Sequence, residues 1–290
     1  MTAVRLRRLL LAACALIGGT IAFTMLLAEK DARGDLMLEA HVVDLSPLER
    51  LPPSAWQTLA GKRIYFGHQS VGDDILAGVA EIGRRQPQIH FEIVASDPAA
   101  LRGRAAFAQS YVGSNGDPES KLRDFTQRMV AAGPGSVDIA FIKLCYVDVV
   151  ATTRTNELFA LYKETMAKLE QMLPQTKFLY VTVPLTAQRT GFRTRVKRLL
   201  GMVPGDDADN RSRQAFNELV RSEYRGKRPF FDVAAAESAL PDGKRVTCSI
   251  GSDAFPCLAQ SYTTDGGHLN DTGRLTIARE LLLELEKLVR

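Results

Sequence analysis

From Lys62 onward the chain alternates short β-branched or aromatic runs with longer stretches of helical periodicity. That alternation is the strongest constraint on its fold. Strands separated by helices must pair in parallel, because a crossover helix returns the chain to the same edge of the sheet. The expected strands are 63–68, 90–96, 138–144, 177–183 and 229–235. Several are almost continuously apolar, as strands covered on both faces should be. Helical patterns lie at 72–84, 118–132, 155–173 and 210–224. A last one, at 271–289, places Leu275, Ala278, Leu281, Leu282 and Leu285 on one face, with Asp271 as the expected N-cap. Residues 61–290 are therefore read as one three-layer α/β/α sandwich around a five-stranded parallel sheet, in the flavodoxin-like order 2-1-3-4-5. Ligands of such sheets bind beyond the carboxyl ends of the strands, where the order reverses. The loops after residues 68, 96, 144 and 183, and the one before the last helix, are the places to look.

The first 60 residues read differently. Residues 9–28 contain no charge and follow Arg5, Arg7 and Arg8. This length of apolar chain suffices to cross a bilayer as a helix, and the arginines favour an exported body. Residues 1–28 are expected to be a signal anchor or a cleaved signal peptide. Leu11-Ala12-Ala13-Cys14 also resembles a lipoprotein box. Residues 29–60, with Pro47, Pro52 and Pro53, read as a tether and a lead-in helix near 54–59, where Trp56 packs against the first strand.

Charge narrows the function classes. The chain has 37 Lys and Arg against 33 Asp and Glu, and three of the cations precede the apolar segment. The body is thus close to neutral, without the basic excess of a nucleic-acid-binding domain. No Cys/His cluster has zinc spacing and no P-loop is present, so neither metal nor cofactor is expected. Of four cysteines, Cys145 lies in an apolar run and reads as a buried thiol, while Cys248 and Cys257 flank a loop and suit a local disulfide in an exported protein.

Two segments carry candidate chemistry. Gly67-His68-Gln69-Ser70-Val71-Gly72 follows the first strand. A serine on such a strand-to-helix turn faces solvent beside the helix's free N–H groups, which can stabilise an oxyanion. Gly67 and Gly72 would allow a substrate to approach closely. Ser70 could equally be a plain helix cap. Asp73 and Asp74, in the first turn, suit the helix dipole. The second segment, Thr263-Thr264-Asp265-Gly266-Gly267-His268-Leu269-Asn270, precedes the last helix. Asp and His three apart can set a carboxylate against one imidazole nitrogen and leave the other for a nucleophile. The topology brings both segments to the same edge of the sheet. Of the four histidines, His41 lies in the tether, His90 starts a strand at the wrong end, and His68 is too near Ser70 in sequence to be its base.

On these two motifs and the sheet pattern, residues 62–290 resemble the SGNH (GDSL-like) hydrolase superfamily as a divergent member. The resemblance implies Ser70 as nucleophile, His268 as general base and Asp265 as its orienting carboxylate. It also implies oxyanion donors: a glycine after the second strand, for which Gly113 and Gly116 are candidates, and an asparagine after the third. Leu144-Cys145-Tyr146-Val147-Asp148 contains no asparagine, so Asn115 or Gln69 would have to substitute, with His68 and Gly72 as further substrate contacts. The function implied is an exported, periplasmic ester hydrolase or O-acyl transferase acting on carbohydrate or lipid esters. The alternative is a non-catalytic glycan-binding or scaffolding domain on the same fold. A third feature is the segment 189–198, which carries Arg189, Arg193, Arg195, Lys197 and Arg198. It could draw an anionic glycan or phospholipid surface by its field, or be a solvated helical face.

Overall fold

The computed structural model describes residues 43–290 apart from Thr190 and Gly201. The apolar segment 9–28, Cys14, His41 and the first part of the tether lie outside the described residues. Among the described residues no helix is long and apolar enough to cross a membrane.

The chain enters through α1 (Ser46–Glu49) and α2 (Pro53–Ala60), then forms β1 (Arg63–His68), α3 (Val71–Arg85), β2 (Ile93–Ala95) and β3 (Ala106–Tyr111). After α4 (Pro118–Ala132) come β4 (Ile139–Ile142), α5 (Thr155–Met172), β5 (Lys177–Phe178) and β6 (Tyr180–Val181). The remainder is α6 (Phe192–Leu199), α7 (Gly205–Tyr224), β7 (Phe230–Phe231), α8 (Val233–Ser238), a hairpin of β8 (Thr247–Ile250) and β9 (Asp253–Pro256), and α9 (Asp271–Lys287).

The main sheet is parallel, in the order β2-β3-β1-β4-β5. β6 follows β5 after Leu179 alone and pairs in parallel with β7. Counted from β1 with β3 as the second strand, this is the expected order 2-1-3-4-5. The second strand itself is not where the sequence placed it. Residues 93–95 form an outer edge, and Ala106–Tyr111 takes the place beside β1. Its sequence, AFAQSY, has no β-branched residue, so local propensity does not announce it. Pairing on both sides and burial of Ala106, Phe107 and Ala108 make the strand.

Alternation along the strands divides the core. Ile64, Phe66, Phe107, Ile139 and Phe141 face α3 and α9, while Tyr65, Ala106, Ala108, Ala140 and Ile142 face α4, α5 and α7. The lead-in helices belong to the first side, where Leu48, Trp56 and Leu59 are buried. Three local expectations change. The fifth strand is shorter than 229–235, because Asp232 caps α8 by accepting from Ala235 N–H at 3.1 Å. The cap of α9 is Asn270, whose side chain accepts from Gly273 N–H at 3.0 Å, and not Asp271. α7 starts at Gly205, ahead of the expected 210, so Asn210 lies inside that helix. Cys248 and Cys257 are disulfide-bonded across the base of the hairpin, and Cys145 is a free, buried thiol.

Candidate active site at the carboxyl edge of the sheet

β1 lies between β3 and β4, so the loops leaving these three strands face one another at the carboxyl edge, where α9 also begins. Ser70 stands at the end of the β1 loop, at the N-terminal boundary of α3, and its side chain makes no capping bond. Its Oγ is 3.1 Å from His268 Nε2. His268 Nδ1 is 2.6 Å from Asp265 Oδ2. A carboxylate can only accept, so Nδ1 carries the proton and Nε2 accepts from the serine hydroxyl. Burial would raise the Asp265 carboxyl. The backbone N–H groups of Gly267 and His268, at 2.8 Å each, and the imidazole outweigh it and hold the group well below the usual carboxylate range. These bonds fold the Asp-x-x-His turn on itself. Residue 266 sits at φ +92°, a conformation that favours glycine.

The two distant segments meet because their helices pack. α3 leaves Ser70 and α9 leaves His268; they cross at Gly78, where any Cβ would collide with the Arg274 carbonyl. Asp74, nearly buried, accepts from Leu269 N–H at 3.0 Å and from Arg274 Nε and Nη2 at 3.0 and 2.7 Å. The acid expected to answer the helix dipole therefore ties the histidine loop to the serine helix across 195 residues of sequence. Asp73 instead accepts from Tyr111 Oη at 2.7 Å. Among the described residues no group of three or more His, Cys, Asp or Glu is placed to hold a metal ion.

The expected oxyanion donors fare otherwise. Gly113 N–H donates to Asp124 at 3.0 Å and Gly116 N–H to Asp148 at 2.9 Å. Gln69 spends its amide on the carbonyls of Val112 and Gly113, at 3.1 and 3.0 Å. Gly72 N–H closes the turn onto the Gln69 carbonyl at 2.6 Å. A Cβ on Gly72 would run into the His68 ring, and one on Gly67 would meet Phe125 at 2.8 Å. These two glycines make room for the protein itself and not for a substrate. His68 is fully buried, bonded through Nε2 to Gln109 at 2.9 Å. Its loss of hydration and the nearby Lys143 push its pKa down to about 4, so it is a neutral core residue and no substrate contact. The N–H groups of Gly72, Gly113 and Gly116 and the amide of Gln69 share one cause: a tight loop must satisfy its own N–H and C=O groups.

Asn115 differs. It is exposed, and its Oδ1 accepts from Lys121 Nζ at 3.0 Å, which orients the amide and leaves Nδ2 to donate. Lys121 is itself fully buried against Asp148, with Nζ 2.8 and 2.6 Å from the two carboxylate oxygens. Asp148 also accepts from the N–H groups of Gly116 and, at 2.6 Å, Cys145. One ion pair thus ties the loop after β3 to the loop after β4. No motif announces it, since lysine and aspartate are ordinary surface residues in sequence.

Tyr146 occupies the loop after β4, where the family resemblance implies an asparagine. Its ring lies edge-on to His268 with centroids 6.0 Å apart, and Gly267 is the residue that lets it approach. Arg213 holds the loop by donating Nε to the Tyr146 and Val149 carbonyls at 2.8 and 3.1 Å. Beside Asp265, a cavity of about 280 Å³ is lined by Tyr146, Thr186, Arg189, Asp206 and Arg213 among others. It is a polar recess whose lining includes Asp265 and neither Ser70 nor His268.

No protein-family model and no curated protein matches the chain. Solved structures do. A protein designated a platelet activating factor from Streptococcus pneumonia is similar with a TM-score of 0.47 and 17% identity, over 80% of this chain and 90% of its own. A protein designated a GDSL-like lipase from Parabacteroides merdae gives 0.42 and 15%, over 77% and 94%. The periplasmic domain of a lipopolysaccharide acetyltransferase from Salmonella ser. Paratyphi A gives 0.42 and 10%, over 84% and 97%. These likenesses, like the strand order, concern the fold.

Proposed function

We propose that the chain is a serine-dependent ester hydrolase or O-acyl transferase that works through an acyl-enzyme. The observation that carries this reading is the unbroken hydrogen-bonded chain from Ser70 Oγ through His268 to Asp265. A serine hydroxyl is a weak nucleophile until a base takes its proton. Here Nε2 accepts that proton as Oγ attacks the ester carbonyl. The imidazolium so formed is stabilised by Asp265, which is ionised across the physiological range. The proton then passes to the departing alkoxide and leaves an acyl group on Ser70. Water, or a sugar hydroxyl, repeats the steps in reverse and restores the enzyme.

The developing oxyanion would be met by the Val71 N–H at the start of α3, where the helix dipole adds to it, and by the Asn115 amide. The substrates we propose are ester-bearing glycans or lipids. A body outside the cytoplasm, with residues 9–28 in a membrane as anchor or leader, fits the Cys248–Cys257 disulfide and the basic N-terminus.

A second reading, a glycan-binding or scaffolding domain without turnover, draws on the commitment of Gly113, Gly116 and Gln69 to the protein's own loops. A fluorophosphonate probe separates the two. Labelling of the natural chain and not of Ser70→Ala, with release of acetate from acetylated sugars or p-nitrophenyl esters by the natural chain only, supports the enzyme. No labelling of either sinks it in favour of the binder.

A further inference from the structure

We infer that the recess beside Asp265 is a binding site for a neutral sugar unit. Its walls come from loops and a helix far apart in sequence: Tyr146 after β4, Thr186 after β6, Asp209 and Arg213 on α7, and Asp265 before α9. Arg213 is 2% exposed; besides the loop carbonyls held by Nε, its Nη1 donates to Thr186 Oγ1 at 2.8 Å and to Asn210 Oδ1 at 2.7 Å. Its Nη2 makes no hydrogen bond among the described residues and stands 3.8 Å from Asp209 Oδ2, too far for one. Asp209 uses its other oxygen to accept from Ala151 N–H at 2.8 Å. The Tyr146 hydroxyl likewise has no hydrogen-bond partner among the described residues. A buried guanidinium nitrogen without an acceptor is costly unless an oxygen from outside the chain fills that place.

Hydrogen-bond chemistry identifies the occupant. Arg213 Nη2 offers a proton, and Asp209 Oδ2 beside it can only accept one. A hydroxyl set between them accepts from the first and donates to the second, and Tyr146 Oη can do either for a neighbouring hydroxyl. An anionic headgroup has no proton for Asp209. It would also meet guanidinium groups that already face carboxylates, Arg189 against Asp206 at 2.6 Å and Arg213 against Asp209. A cation would be set against Arg213. An acyl chain would cover these polar groups without bonding them. A ring bearing several hydroxyls meets every one of these demands. At about 280 Å³ the recess lies just below the range for drug-sized ligands, about 300–1,000 Å³, and suits a single sugar ring.

The site also bears on the proposed reaction. Asp265, Gly266 and Gly267 form one wall, while Asp265 Oδ2 bonds His268. Neither Ser70 nor His268 lines the recess, so a sugar held there belongs to the alcohol side of the ester and is not the acyl group. This choice of glycan over lipid esters rests on the serine-hydrolase reading; the binding of the sugar itself does not.

The test uses the full chain carrying Ser70→Ala, which removes any turnover, and the methyl glycosides of glucose, galactose, mannose and N-acetylglucosamine. Glucuronate, glycerol phosphate and phosphocholine stand for anionic and lipid-headgroup ligands. Ligand-observed NMR titration should show at least one neutral glycoside bound more tightly than any of those three. Asp209→Asn keeps the bond from Ala151 and turns the free acceptor into a donor. It should lower that affinity on the order of tenfold to a hundredfold, as loss of a hydrogen bond to a charged group does. Tyr146→Phe removes a hydroxyl that bonds nothing in the protein, and should cost about threefold in affinity with no change in melting temperature. The inference fails if no neutral glycoside binds, if binding is unchanged in both variants, or if glucuronate, glycerol phosphate or phosphocholine binds best. Fluorophosphonate labelling of the natural chain separates the two readings. Labelling without sugar binding overturns the recess and keeps the hydrolase, whereas sugar binding without labelling keeps the recess and overturns the hydrolase.

Discussion

The two sides of the candidate site are held in opposite ways. On one side Ser70 and His268 stand at the starts of α3 and α9, and those helices are locked by apolar packing, by Gly78 and by the Asp74–Arg274 bridge. On the other side the loops after β3 and β4 bury Val112, Leu144 and Val149 and are joined by polar bonds as well. The buried Lys121–Asp148 pair links them, and Arg213 holds the second loop from outside. The first side leaves its reactive groups unspent, because the scaffold beneath does the positioning. The second spends most of its donors on itself and offers Asn115 outward. A charged pair away from water is stable only with good geometry and all lone pairs met, which is why Gly116 and Cys145 also donate to Asp148.

The largest expected effect falls on the first side. Asp265→Asn keeps the shape of the turn and removes the charge that fixes the histidine tautomer. Ester turnover should drop on the order of a thousandfold or more with little change in melting temperature. A loss below tenfold, measured by steady-state hydrolysis on correctly folded protein, would break the contrast by showing that Asp265 only shapes its loop. The second side should answer in stability. Lys121→Met leaves the Asp148 carboxylate buried without its counter-ion, a change that costs about 3–5 kcal/mol in comparable settings. Urea unfolding should show that loss, and Asp148→Asn in the same background should recover part of it. If Lys121→Met unfolds at the natural denaturant concentration, the loops are held by something else.

That asymmetry also explains what could be read before any coordinates. The serine turn and the Asp-x-x-His turn are local patterns found where the sequence put them, and the strand–helix alternation holds except for the strand beside β1. The meeting of Ser70 with His268 follows from topology, which the alternation already limits. Lys121, Asp148, Asp74 and Arg274 carry no local signal; their importance comes from contacts between residues far apart in sequence. β3 was missed for a related reason, since an Ala-Phe-Ala run becomes a strand only when neighbours pair with it on both sides. At Gly72, Gly113, Gly116 and Gln69 the chemistry is visible in the sequence, while their bonds to the loop itself become visible only in the fold.

A smaller effect sharpens the comparison at Asn115. Asn115→Ala should lower kcat on the order of a hundredfold and leave KM nearly unchanged, the signature of a donor used only as charge develops on the carbonyl oxygen. Melting should be nearly unaffected, because the residue is exposed and contributes a single bond to the Lys121 cluster. An unchanged kcat would assign the oxyanion to backbone donors alone.

The smallest effect lies beneath both sides, where α8 brings Glu237 against the loop after β6. Glu237 is fully buried, and its Oε2 accepts from Leu185 N–H at 2.6 Å. Loss of hydration pushes its pKa up to about 8 from an ordinary value of 4.5, against the opposing pull of that bond, Lys143 and Arg213. Between these two values the folded chain holds a proton that the unfolded chain has released, so stability falls as pH rises. The slope approaches 1.4 kcal/mol per pH unit, about the value for one proton. His68 opposes it at lower pH: its folded pKa lies near 4 and its ordinary value is 6.5, so over that interval the unfolded chain binds the extra proton and stability rises with pH. The two contributions offset one another at lower pH, and the His68 part fades as pH rises past 6.5. Chemical unfolding from there to about pH 8 should show declining stability that Glu237→Gln flattens. A Gln variant with an unchanged slope would mean that Glu237 is ionised in the folded chain, paired with Lys143 or Arg213, and that a second buried ion pair lies under the site.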